Sequence, residues 1–176
     1  MISLKTKGLP NAIEVNGQLF FIKTDFRVWI TFHERMRQYM QGDTDGYKEL
    51  FDGPAPWASE AVIKVLCAFY DTPCELPRTT KSGGRVIDFD LDADRIFAAF
   101  LQAYGIDLTT EDLHWHKFSA LLAALPDDTL MCKVIGWRSY DGKEKDILKL
   151  KQAWALPLTI SEEEREAMEE FNSLFG

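Results

Sequence analysis

The sequence is poor in the residues that most often announce chemistry. It has three histidines and three cysteines, and Cys67, Cys74 and Cys132 show no Cys-x-x-Cys spacing. An odd trio can close at most one bridge, so a disulfide framework is excluded and reduced thiols are expected. A Gly-x-Ser-x-Gly elbow is missing, and Lys81-Ser82-Gly83-Gly84 lacks the spaced glycine and the Gly-Lys-Ser/Thr ending of a phosphate loop. No apolar run approaches the roughly 18 to 20 residues needed to cross a bilayer, and Met1-Ile2-Ser3-Leu4-Lys5 lacks a signal-peptide apolar region. Positive charge is scarce as well: 20 Lys and Arg stand against 28 Asp and Glu, for a net charge of −8. Nucleic-acid affinity comes largely from neutralising phosphates with a basic surface, so a nucleic-acid reader is not expected. Together these absences predict a soluble, cytosolic chain with neither nucleic acid nor membrane as a partner.

What is present is apolar and aromatic. Hydrophobic residues make up 46% of the 176 residues and aromatics 12%, including twelve Phe and five Trp. That is enough to build a core, which excludes disorder along the whole chain, and the length suits one domain with at most a small appendage.

Periodicity divides the chain. Ile13-Glu14-Val15 and Gln18-Leu19-Phe20-Phe21-Ile22 flank Asn16-Gly17, a pair suited to a type I′ turn, and predict an N-terminal β-hairpin within residues 1–24. Phe26, Trp29, Ile30, His33, Met36 and Met40 then recur at helical spacing, with Gly42 as a stop. Pro54, Pro56 and Trp57 are expected to open a second helix carried by Ala61, Val62, Val65, Leu66, Phe69 and Tyr70. Residues 72–86 have no apolar period and read as a loop.

Ile96, Phe97, Phe100, Leu101 and Tyr104 form the next stripe, with Gly105 placed for a left-handed cap. Thr109 or Thr110 is expected to cap the helix of Trp115, Phe118, Leu121, Leu122 and Leu125. Leu130, Val134 and Trp137 mark a further helix; Ile147, Leu150 and Trp154 mark another, after a turn at Asp141-Gly142. Ser161-Glu162-Glu163-Glu164 is a capping-box pattern that opens an acidic C-terminal helix, residues 157–176. Residues 161–176 carry six Glu against one Arg. The fold class is therefore mainly α: a helical domain, residues 25–156, built as a compact bundle of about six or seven helices, with the small hairpin in front.

Three constellations are candidates for chemistry. Asp88, Asp90, Asp92 and Asp94 resemble the start of a calcium loop, but Ala93 stands where the turn needs Gly and Ala99 where a bidentate Glu is needed. Capping of the Ile96 helix by Asp90 or Asp92 is the preferred reading. On a helix, His114 and His116 would project about 200° apart, so they suit one metal poorly. Glu111 and His114 have di-iron spacing, yet a second Glu-x-x-His is missing. Cys67 and Cys132 sit in apolar helical patterns and read as buried packing residues. No catalytic residue, metal or cofactor is assigned.

The strings Ile87-Asp88-Phe89, Tyr104-Gly105-Ile106-Asp107-Leu108, Leu113-His114-Trp115-His116-Lys117-Phe118, Leu125-Pro126 and Trp137-Arg138, in this order, resemble the gene-product-fifteen family of tailed phages and prophages. The resemblance runs from about Phe26 to Trp154. It departs at His116, where a second aromatic is common, and in the Glu-rich tail. It implies a non-enzymatic tail-assembly role in the host bacterial cytoplasm, as a chaperone whose partners are the tape-measure protein and the tail tube protein. A structural tail or head-completion component is the alternative, and a small metal-dependent enzyme using Asp88, Asp90 or His114 is the second alternative. Under the first reading, Phe26, Trp29 and Ile30, with Trp115, Phe118 and Leu122, are the expected partner-binding residues, forming the core wall beside a groove.

Overall fold

The computed structural model describes residues 2, 5, 7–32, 46–71 and 85–157. Ala12–Val15 (β1) and Gln18–Phe21 (β2) pair antiparallel, Ala12 opposite Phe21 and Val15 opposite Gln18. Asn16 (φ 52°) and Gly17 (φ 81°) are both left-handed, as a type I′ turn requires. Alternation then sorts the side chains. Ile13 and Val15 are buried, whereas Leu19 and Phe21 face outward.

Helix α1 starts at Phe26, and residues 26–32 of it are described. Asp25 accepts the Arg27 N–H at 2.9 Å, which gives the first turn a carboxylate cap. Phe26, Trp29 and Phe32, three apart, are buried. The expected continuation through His33, Met36 and Met40 to Gly42 lies outside the described residues, as do residues 72–84, Cys74 and the capping box at Ser161.

A 3₁₀ turn, Gly46–Leu50, leads to an irregular stretch and then to α2, Glu60–Tyr70. Pro54, Pro56 and Trp57 do not open this helix. Ser59 does, its hydroxyl accepting the Val62 N–H at 3.4 Å, because a serine oxygen can satisfy a first-turn amide and a proline ring cannot. Trp57 is left 94% exposed. Strand β1 packs against α2.

Helix α3 (Ala93–Tyr104) ends as its sequence predicts. Gly105 takes φ 66°, its N–H reaches Leu101 O, and the Ile106 N–H reaches Phe100 O at 3.4 Å. This is the paired closure of a left-handed cap. Helices α4 (Trp115–Ala123), α5 (Leu130–Ser139) and α6 (Lys145–Ala153) complete the described chain. Helix α5 lies against both α3 and α6. Among the described residues, six helices and one hairpin make the fold mainly α.

Phe118 is the meeting point of the core. Its ring stacks on Phe26 of α1 at 4.5 Å, on Phe100 of α3 at 5.1 Å and on Trp115 at 5.9 Å. Rings this close contribute beyond their buried area. Phe118→Ala is therefore expected to cost about 3 to 5 kcal/mol in urea unfolding; a loss under about 1 kcal/mol would place the centre of the core elsewhere.

Candidate functional site

Two polar assemblies organise the helices. The first is His114-Trp115-His116, at the start of α4. Thr109 and Thr110 do not cap this helix. They belong to a separate turn in which Asp107 Oδ1 accepts the Thr109 N–H and hydroxyl at 2.8 and 2.5 Å. The cap is His114, whose Nδ1 accepts the His116 N–H at 3.0 Å. Glu111 and His114 consequently do not share a helix, and their i, i+3 spacing carries no common face.

The three rings reach three backbone carbonyls. His114 Nε2 donates to Pro10 O at 2.9 Å, Trp115 Nε1 to Tyr70 O at 2.9 Å, and His116 Nε2 to Phe69 O at 2.8 Å. Phe69 and Tyr70 are the last residues of α2, whose terminal carbonyls have no intrahelical donor. The rings of α4 thus cap α2. Backbone pairing adds a third link, with Phe26 N–H to Leu113 O at 2.9 Å and Trp115 N–H to Thr24 O at 2.7 Å.

Burial holds both imidazoles below the ordinary histidine range, opposed in part by their carbonyl bonds. Each ring already donates from Nε2, and His114 also accepts at Nδ1, so the neutral Nε2–H form fits the geometry.

The second assembly is Asp92 with Arg138. The guanidinium donates from Nη1 to Asp92 Oδ2 at 2.5 Å and from Nη2 to Oδ1 at 3.0 Å, a two-pronged pair in the interior. Asp92 also receives Arg95 Nη1 at 3.1 Å and the Asp88 N–H at 3.0 Å. Arg138 additionally reaches Val86 O at 3.0 Å and, through Nε, Trp154 O at 2.6 Å. Asp92 stands at the N-cap position of α3 but makes no capping bond with its side chain, because the carboxylate is engaged by Arg138. Asp88 uses its carboxylate locally instead: Oδ1 accepts the Asp90 and Leu91 N–H groups at 2.9 and 2.8 Å. The aspartate run is a turn followed by a buried ion pair.

The thiols are half-buried, less enclosed than their apolar patterns suggested. Burial, then Asp71, pushes the Cys67 thiol up; burial, then Asp127, does the same for Cys132. Both are thereby weak nucleophiles at neutral pH. Among the described residues, no group of three His, Cys, Asp or Glu side chains could hold a metal ion, and every buried side-chain nitrogen or oxygen has a partner.

Of the six expected partner-binding residues, Phe26, Trp29, Trp115, Phe118 and Leu122 are buried, and Ile30 is half-buried against the core. They form interior wall rather than contact surface, because α1 and α4 turn these faces toward each other. Trp29 packs on Phe69 at 4.5 Å, separate from the Phe26–Phe118 stack. An open cleft between α1 and the 3₁₀ turn is lined by other residues, among them Arg27, Thr31 and Glu49.

Exposed apolar side chains occur elsewhere: Leu19 and Phe21 on β2, Trp57, and Leu148 and Leu150 on α6. Periodicity places Leu19, Phe21 and Leu150 in their elements but does not mark them as exposed, because it registers stripes, not which stripe stays uncovered. For Arg138 a signal existed. It falls four residues after Val134 on the buried side of α5, and a charge on a buried stripe demands a partner.

Comparison with known protein families decides the wider relationship. Residues 70–156 match the family described as bacteriophage Gp15 protein. Over these residues the chain belongs to the bacteriophage Gp15 family. The Gp15 segment contains α3 to α6 complete, the His-Trp-His capping and both halves of the Asp92–Arg138 pair. It starts at Tyr70, so the resemblance expected from Phe26 onward is carried by the later part of the chain. No curated protein and no solved structure matches the chain. It is a phage-associated protein, and no helix among its described residues is long and apolar enough to cross a membrane.

The histidines generate a pH prediction. Their folded-state values are depressed, so below about pH 6.5 the unfolded chain binds more protons than the folded one. Stability is then complete above that value and is lost as the pH falls toward the folded-state values. Urea midpoints measured from pH 7.5 down to 5 should decline over this interval, less steeply in His114→Asn/His116→Gln. An identical slope in the two proteins would contradict the assignment.

Proposed function

We propose that this Gp15-family chain is a non-enzymatic tail-assembly chaperone that binds apolar helical segments of the tape-measure protein in the host cytoplasm. The observation that carries the reading is the family match over residues 70–156. Two features of the fold support it. The buried polar groups among the described residues of the Gp15 segment are engaged with carbonyls and with each other, an arrangement that supports packing more than turnover. Apolar side chains meanwhile stand open at the hairpin and on α6, where a partner's apolar face could be covered.

A long helical chain awaiting polymerisation of tail tube protein exposes apolar stripes that aggregate unless shielded. A helical protein can cover such stripes reversibly by presenting a matching surface. The test is co-expression with the tape-measure protein of the same phage. The soluble fraction of that protein should rise and the two should copurify, while purified virions should lack the chaperone. An unchanged insoluble fraction would overturn the reading, and stoichiometric presence in virions would favour a structural tail component.

A further inference from the structure

Helix α6 differs from the other helices in how it is held. Helices α2, α3, α4 and α5 each bury three or more of their own residues, and the described part of α1 buries Phe26, Trp29 and Phe32. Helix α6 buries none. Its inner side is the half-buried row Ile147, Lys151 and Trp154, spaced four and three apart, and Leu148 and Leu150 remain exposed beside it.

The strong fastenings gather at its C-terminal end. The Trp154 carbonyl accepts Arg138 Nε at 2.6 Å, its indole lies 5.8 Å from Trp137 and 5.0 Å from the Arg95 guanidinium, and Lys151 Nζ donates to Tyr140 O at 2.6 Å. At the other end, Glu144 occupies the N-cap position without a side-chain capping bond, and its N–H donates to the Tyr140 hydroxyl at 3.3 Å, the longest of these hydrogen bonds.

Removing α6 would leave the interior nearly intact. Arg138 would keep both bonds to Asp92 and its bond to Val86 O, and would give up Trp154 O alone. Trp137, half-buried on α5, would become an open aromatic shelf.

We infer that α6 is a displaceable placeholder, seated on α5 over Trp137 where an amphipathic helix of a partner docks in its stead. This deepens the chaperone reading and rests on it. The occupant is specified by the helix now in place: apolar at the Ile147 position, aromatic seven residues later, and a long cationic or apolar residue between. The Trp154 indole, packed on Trp137 and under the Arg95 guanidinium, is the side-chain part of the clasp; its loss loosens the helix while the body holds and the Trp154 carbonyl stays available to Arg138. A partner helix that fills the shelf better than α6 wins by burying more apolar area.

Hydrogen exchange of the full chain tests this. Amides of α6 should exchange roughly 100-fold faster than those of residues 134–139 in α5, as a locally opening unit does. In Trp154→Ala the α6 amides should exchange faster still, with α3 and α5 protection preserved. A labelled synthetic peptide of residues 143–157 should then bind Trp154→Ala at least about tenfold more tightly than the parent chain, whose own helix blocks the seat.

Protection of α6 equal to that of α5 in the parent chain would overturn the inference. So would loss of α3 and α5 protection in the variant, or equal peptide affinity for the two proteins. If all three measurements succeed while co-expression leaves tape-measure protein insoluble, the chaperone reading fails and the seat stands. The reverse outcome removes the seat alone.

Discussion

A carboxylate and a guanidinium brought together in an apolar interior must recover, through geometry, the hydration that both have lost. Asp92 and Arg138 do so with two parallel bonds, and the surroundings complete the set: Arg95 and the Asp88 amide on one partner, the Val86 and Trp154 carbonyls on the other. Desolvation makes such a pair a weak source of net stability, but breaking it by removing one member leaves an uncompensated interior charge. The constraint is therefore positional. The start of α3, the end of α5 and the segment at Val86 can all be satisfied at once in only a narrow range of arrangements.

The His-Trp-His sequence plays a comparable part at the start of α4. Its rings recognise carbonyls that helix geometry leaves without donors, and so join the N-terminal segment and α2 to the Gp15 segment. The aromatic stack centred on Phe118 adds apolar contacts among α1, α3 and α4. The outcome is a body held firmly by directional contacts, with one helix, α6, laid on its outside. A firm body with one helix on its outside suits the proposed role, since a reversible binder has to exchange one helical contact for another without unfolding.

Much of this was legible in the residues. The Asn-Gly hairpin, the Gly105 cap and the apolar interiors of α3, α4 and α5 follow from local rules, because turn chemistry and helical period act over a few residues. The boundaries of α2 and α4 did not follow. Two prolines competed with Ser59 as a start signal, and an imidazole took the capping task expected of Thr109 or Thr110. Asp92 read as one of two candidate caps, Asp90 being the other, because its partner lies 46 positions away and tertiary placement alone reveals the ion pair. The same limit applies to the expected binding residues. Periodicity identified Phe26, Trp29, Trp115, Phe118 and Leu122 as one apolar population, and only packing showed that neighbouring helices already cover them.

The positional claim for the ion pair is tested most directly by a double-mutant cycle on Asp92→Asn and Arg138→Met, read by urea unfolding. Each single change is predicted to cost about 3 to 5 kcal/mol, and the double change far less than the sum, since the second substitution removes the charge stranded by the first. Losses that add to within about 0.5 kcal/mol would show the two side chains to be uncoupled and would contradict the account.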